Sequence, residues 1–347
     1  MNSNSLIDKL GLFWNKQHPF VSFRLPNSDE VCIFYQKDNL LNSTHDLLVS
    51  GFIISPFLNS KLTHYIPADF SEIFPKPYVQ AKERDEIKIT EEISEKTNFI
   101  ELVERAKNRI ESGIFKKVVV SRLLTIHSEK KPVDLFLALE NKYPETLVYL
   151  WHHPKVGTWL GATPEQLVAI TVNATETMSL AGTQLYEANK TPRWTSKERD
   201  EQALVTEELF RNLNTMFSSD EIEAEGPLNQ RAGNLVHLCT HFKMPRLKEP
   251  LHLLTSTLHP TPAVGGLPKK EAQEFIEMEE GYDRLFYTGF LGPISKEKTH
   301  LFVNLRCAQW KEEKLTLYVG AGITAGSIAE NEWLETQLKA ETFTKIL

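Results

Sequence analysis

The tightest constraint on this chain is how closely its extended runs follow one another. Residues 20–25 and 30–35 are rich in β-branched and aromatic side chains, and only Pro26-Asn27-Ser28 and one further residue part them. Residues 301–310 and 315–319 flank a charged turn at 311–314 and read as a hairpin, while 147–151, 157–161 and 167–172 are three more runs in close succession. Connections this short suit antiparallel neighbours, because a parallel pair needs a crossover of about a dozen residues or more. Helical periodicity appears between groups of strands, not after each one. The pattern predicts an α+β fold with large antiparallel sheets rather than a doubly wound parallel sheet.

Helix signals are specific where they occur. Ile100, Val103, Ala106 and Ile110 recur near helical spacing over 97–112, and Gly113 is placed to end that helix. Thr195 and Glu198 form a capping box ahead of Leu204, Val205, Leu209 and Phe210, and Ser327 with Glu330 predicts a second box before a final helix. Residues 1–82 read as strands and turns, and 83–97 as a charged, exposed connection. No linker is long enough for two independent domains, so 1–90 is expected as a strand-rich segment integrated into one fold with the region 91–347.

Composition limits the partners. The formal net charge is −7 with both signs interspersed, so no basic patch points to nucleic acid and no polybasic segment to a membrane surface. A local cation or metal can still draw a small anion. Cys32, Cys239 and Cys307 are scattered and odd in number, which argues against a disulfide framework or a zinc site and fits a reducing compartment. Residues 1–14 lack a targeting pattern and no apolar run approaches ~18 residues. The cytoplasm is the expected location.

Four features carry possible chemistry. In the run from Lys117 to Ile126, alternation puts Lys117, Val119 and Ser121 on one face and Val118 and Val120 on the other, so Lys116 and Lys117 point opposite ways. One of the two lysines points inward, although alternation alone favours a lysine that snorkels to water. Glu165 leaves a tight turn, Gly161-Ala-Thr-Pro-Glu165, and by itself reads as a solvated loop carboxylate. The run Gly320-Ala-Gly-Ile-Thr-Ala-Gly-Ser327 follows a strand and precedes a helix, one residue too long for a dinucleotide fingerprint, but it lets backbone approach a ligand. Glu335 and Lys339 share a helix face, and Glu201 lies at the edge of another helix's apolar face. Two carboxylates from two helices suit Mg²⁺ better than zinc.

The order of the motifs adds what no single one supplies. Lys117-Val-Val-Val-Ser-Arg, Gly161-Ala-Thr-Pro-Glu165, Leu180-Ala-Gly-Thr183, Lys197-Glu-Arg-Asp-Glu201-Gln, His259-Pro-Thr-Pro-Ala263-Val-Gly-Gly266, Arg284-Leu-Phe-Tyr-Thr-Gly289, Leu305-Arg-Cys-Ala308, Gly320-Ala-Gly-Ile and Glu332-Trp-Leu-Glu335-Thr-Gln-Leu-Lys339 follow in unbroken order. Over residues 95–347 the chain resembles the chorismate-utilising enzymes, and most nearly their isochorismate synthases. The resemblance implies two stacked antiparallel sheets wrapped by helices, with the site in the cleft between them.

The same resemblance implies residue roles. Family members that use ammonia carry glutamine where Lys117 stands, so lysine implies a general base that activates water for attack at C2 of chorismate. Glu165 matches the general acid that protonates the leaving C4 hydroxyl. Glu201 and Glu335 match the magnesium carboxylates. Gly182, Thr183, Arg306, Gly320 and Lys339 match substrate-binding positions, with Ala263 and Val264 as an apolar wall. A monomer is expected, with menaquinone or catechol siderophore synthesis downstream.

Salicylate synthase shares Lys117 and Glu165 and stays open as an alternative. Anthranilate or aminodeoxychorismate synthase and a silent chorismate-binding regulator fit less well. Two departures from the family pattern stand out: a short segment between Thr183 and Glu201, and Gln202 in place of a histidine. Acid–base chemistry near neutral pH sets a demand as well. From ordinary values of about 10.4 and 4.3, Lys117 and Glu165 must each shift by roughly three units.

Overall fold

The computed structural model describes residues 3–58, 60–77, 93–233 and 235–347. The elements of the first half are α1 (Ser3–Lys16), β1 (Phe20–Arg24), β2 (Glu30–Tyr35), β3 (Asn42–Thr44), β4 (Gly51–Ser55), β5 (Thr63–Pro67), β6 (Ser71–Pro75), α2 (Ile93–Glu111), β7 (Lys117–His127), α3 (Pro132–Lys142), β8 (Leu147–His153), β9 (Gly157–Thr163) and β10 (Gln166–Ile170). The second half adds β11 (Ala174–Leu185), α4 (Ser196–Leu213), β12 (Glu223–Ala232), β13 (Leu235–Pro245), α5 (Leu251–Leu258), β14 (Gly266–Leu267), α6 (Lys269–Glu279), β15 (Phe290–Ile294), β16 (Thr299–Val303), β17 (Cys307–Lys311), β18 (Lys314–Ile323) and α7 (Ala329–Thr344).

The strands form two nine-stranded sheets, β14-β7-β18-β17-β9-β8-β1-β2-β6 and β12-β13-β11-β10-β16-β15-β4-β5-β3. Pairing among the described residues is antiparallel throughout, as the short connections require. Between the sheets lie Phe52, Ile54, Trp151, Trp159, Leu291 and Phe302, with the Trp159 ring stacked 5.3 Å from Tyr318. Burial of each such side chain contributes about 1.5–3 kcal/mol. Helices α1 and α3 cover the far face of the first sheet, α4 and α5 that of the second, and α2 and α6 pack with Trp333 of α7 over β7 and β18.

Two sheet crossings build the site. The chain leaves the first sheet after β9, turns through Pro164 and Glu165, and enters the second as β10. It returns from β16 to β17 through residues 304–306, with Arg306 at a φ of 47°. The crossings lie side by side. The Val303 N–H donates to the Glu165 carbonyl at 2.9 Å, and the Ala162 N–H to the Arg306 carbonyl at 3.1 Å. Asn304 holds the second bend, accepting from the Tyr149 hydroxyl at 2.7 Å and donating to the Phe286 carbonyl at 2.9 Å.

Several expectations are corrected. The run 301–310 is two strands in different sheets. Residues 320–323 belong to β18 itself rather than to a loop after it. Helix α2 begins at Ile93, so residues 93–97 are helical, and 83–92 lie outside the described residues. Helix α1 occupies a stretch read as turns and strands, because Leu6, Leu10 and Phe13 recur at helical spacing and bury against α3 and the first sheet. The Ser327 box does not form. Its hydroxyl accepts the Thr324 N–H at 3.1 Å, and the N-cap position of α7 falls on Ile328, which makes no side-chain capping bond.

Candidate active site

Lys117 opens β7, and the strand's alternation decides where it points. Val118 and Val120 enter the cluster under α2 and α6, Lys116 is exposed, and Lys117 is fully buried on the opposite face. Its Nζ lies 2.9 Å from Glu201 Oε1. Gly322, paired with Val119, leaves room for this contact: a Cβ there would stand 2.5 Å from Glu201 Oε1 and 3.3 Å from Lys117 Cε.

Glu201 comes from α4, whose first turn is set by the Thr195 N–H donating to the Glu198 carboxylate at 2.8 Å. Positions 201, 205, 209 and 213 form the buried face, so the carboxylate sits at its N-terminal end. Burial pushes Glu201 upward, but Lys117, Lys197 and Lys339 outweigh it and the net shift is down. Gln202 turns the other way, donating to Ser179 Oγ at 3.0 Å and Thr206 Oγ1 at 3.2 Å. The residue in the histidine's place thus braces α4 against the second sheet.

Glu165 is 3% exposed at the first crossing. Burial raises its pKa to about 7, with Lys117, the Thr261 hydroxyl and Lys339 pulling the other way. That hydroxyl donates to Oε1 at 3.5 Å.

Helix α7 contributes a row of charges. Glu335 pairs with Lys339 at 2.7 Å, and Lys339 Nζ also donates to the Gly320 carbonyl at 2.8 Å. Glu332, one turn earlier, pairs with Lys197 at 2.6 Å. Burial and the neighbouring Glu335 raise Glu332 to about 7 against the pull of Lys197.

Arg306 is held at the second crossing. Its guanidinium stands 3.2 Å from His237 Nε2, and His237 Nδ1 lies 2.9 Å from the Gly182 carbonyl. A carbonyl only accepts, so Nδ1 carries the proton and Nε2 receives the arginine N–H. Burial lowers His237 to about 3, so the ring is neutral and does not repel its partner.

These groups converge. Glu165, Gly182, Thr183, Glu201, Ala263, Val264, Arg306, Gly320, Glu335 and Lys339 all line one pocket, and Lys117 reaches it through Glu201. Sequence reasoning assigned no role to His237, Lys197, Glu332 or Thr261. The spacing of Glu332 and Glu335 on one helix was the available signal for a carboxylate pair. His237 gave none, being one of two histidines in a largely apolar strand.

The donor set fits Mg²⁺. Among the described residues no three His, Cys, Asp or Glu side chains form a ready metal cage. Mg²⁺ needs none, since it uses one or two carboxylates and keeps several waters. Glu201 and Glu335 offer oxygen donors to the same pocket, and the crowding of Glu332 against Glu335 is negative charge that a divalent cation would relieve.

Known proteins share the sequence pattern and the fold of this chain. The family profile of chorismate-binding enzymes matches residues 52–347. The isochorismate synthase EntC of Escherichia coli (strain K12) is 31% identical over 267 residues, which are 73% of this chain and 68% of EntC. The isochorismate synthase MenF of the same strain is 28% identical over 263 residues, 73% of this chain and 61% of MenF. The crystal structure of DhbC from Bacillus anthracis superposes with a TM-score of 0.81 at 24% identity and covers 99% of both chains. Anthranilate synthase component I from Streptococcus pneumoniae TIGR4 gives a TM-score of 0.65 at 24% identity, over 72% of this chain and 57% of its own. The chain belongs to the chorismate-binding enzyme family.

Proposed function

We propose that this chain is an isochorismate synthase that converts chorismate to isochorismate by adding water at C2 and expelling the C4 hydroxyl. The observation that carries this reading is a buried lysine 2.9 Å from Glu201, a carboxylate that lines the same pocket as a carboxyl group raised to about 7. A group of that pKa holds a proton at neutral pH and can give it up there.

Lys117, in its base form, takes a proton from the attacking water as the C2–O bond forms. The ring double bonds shift, the C4–O bond breaks, and Glu165 protonates the departing hydroxyl, which leaves as water. One water enters and one leaves, so the product is an isomer. Arg306 suits the enolpyruvyl carboxylate, because its planar fork can donate two parallel hydrogen bonds. Ala263 and Val264 exclude solvent from one side of the ring. Mg²⁺ held by Glu201 and Glu335 would neutralise the ring carboxylate. The bulk acidity of the chain is no obstacle, since Lys339 and Arg306 place two cationic side chains in the pocket.

The reading includes a monomer at work in the cytoplasm. No described helix is long and apolar enough to cross a membrane. The test is product analysis with purified protein, chorismate and Mg²⁺. Isochorismate without pyruvate supports the proposal. Salicylate with stoichiometric pyruvate, or an amino product with ammonia, would refute it in favour of the sister activities.

A further inference from the structure

Strand β7 carries a second cation on the face opposite Lys117. Arg122 lies under α7, where its Nε donates to Thr336 Oγ1 at 2.9 Å and its guanidinium carbon stands 3.9 Å from the centre of the Trp333 ring. The Thr336 hydroxyl passes the bond on to the Trp333 carbonyl at 2.7 Å. All three side chains are buried.

Trp333 and Thr336 interleave on α7 with Glu332, Glu335 and Lys339. The first two face the packed interior, and Glu335 and Lys339 face the pocket. A helix advances about 1.5 Å and turns about 100° per residue. A slip of one residue would therefore swing Glu335 away from the pocket. Apolar packing of Trp333 against Phe99 resists this weakly, because hydrophobic contact has no preferred direction. A planar guanidinium that both stacks on a ring and donates to a hydroxyl fixes height and rotation together.

We infer that Arg122 is a positioning residue. It sets α7 on β7 and so fixes where Glu335 stands relative to the Lys117–Glu201 pair, which begins on the same strand. The inference rests on the proposed metal role of Glu335.

The test uses Arg122→Met, Arg122→Lys and Thr336→Val in the full chain. Mn²⁺ binding to substrate-free protein is followed by electron paramagnetic resonance, beside Mg²⁺ activation, chorismate KM and hydrogen exchange over α7. Arg122→Met is expected to weaken Mn²⁺ binding by about tenfold and to raise the activating Mg²⁺ concentration equally, with KM little changed. Arg122→Lys recovers part of the loss, and Arg122→Met with Thr336→Val is no worse than Arg122→Met alone.

Unchanged Mn²⁺ affinity in folded Arg122→Met overturns the inference. So does a joint decline of Mn²⁺ affinity and KM that tracks a lower melting temperature. If Arg122→Met does not fold, the near-isosteric Thr336→Val decides by the same readings. Wild-type protein that binds no Mn²⁺ would sink the metal reading alone. Hydrogen exchange then decides on Arg122, with faster exchange confined to α7 in its favour and unchanged exchange against it.

Discussion

Lys117 Nζ and Glu201 Oε1 are 2.9 Å apart, although strand β7 and helix α4 place these residues far apart in sequence. The contact joins the proposed base to a proposed metal ligand. It also makes each residue the electrical partner of the other, with the Lys117 side chain buried and the Glu201 carboxylate at the pocket wall.

Loss of one partner should therefore be felt in the fold. Glu201→Gln leaves the buried Lys117 without its counter-charge, a change that costs about 3–5 kcal/mol. Urea unfolding of the variant measures this, and an unaltered midpoint would show that the pair is not buried as described. The same variant should lose its activation by Mg²⁺.

The pH dependence follows from Glu165. Its pKa in the folded chain is about 7, raised by burial from the ordinary carboxyl value of 4.5. The proposed acid is thus protonated below about 7 and ionised above it. kcat should fall as pH rises through that value, and in Glu165→Gln this limb should vanish along with about a hundredfold or more of the rate. For stability the sign is the same. A raised carboxyl favours the folded state at pH below 4.5, and that contribution is lost as pH climbs through about 7. A rate that rises monotonically to pH 9 would contradict the role given to Glu165.

Gly322→Ala tests the room left for the ion pair. The added methyl would lie 2.5 Å from Glu201 Oε1, the mobile end of a side chain, and the backbone there is not at positive φ. The fold should persist while Glu201 is displaced. Mg²⁺ activation is expected to need about tenfold more metal, read from a titration at saturating chorismate.

A buried pair elsewhere serves as a control. Arg24 Nε lies 2.5 Å from Glu140 Oε2 with both side chains almost wholly enclosed, and Arg24 also donates to the Tyr143 and Pro144 carbonyls at 2.8 Å. Arg24→Met should cost about 3–5 kcal/mol in thermal or urea unfolding. Folded variant should keep wild-type kcat and KM, because neither residue lines the pocket.

Some of this was legible in the sequence. Alternation along β7 placed Lys117 and Lys116 on opposite faces, and the structure has one buried and the other exposed. The box at Thr195 located the start of α4, and Gly113 lies just past α2 at a φ of 74°. The sheet crossings were not legible, because apolar alternation reads the same whichever sheet a strand joins. The positive φ of Arg306 and the bonds of Asn304 mark the second bend, and neither is a local sequence signal. The Lys197–Glu332 and His237–Arg306 contacts join residues 135 and 69 apart, a separation that periodicity does not reach. The Ser327 box failed because a nearby backbone N–H claimed the hydroxyl.

The most direct measurement of the central claim is the origin of the product's new oxygen. Purified protein is incubated with chorismate and Mg²⁺ in H₂¹⁸O, and the isochorismate is analysed by mass spectrometry. Water attack at C2, with Lys117 as base, predicts one solvent oxygen in the C2 hydroxyl and none of this product from Lys117→Gln. Unlabelled isochorismate, or labelled product formed at the wild-type rate by Lys117→Gln, would contradict it.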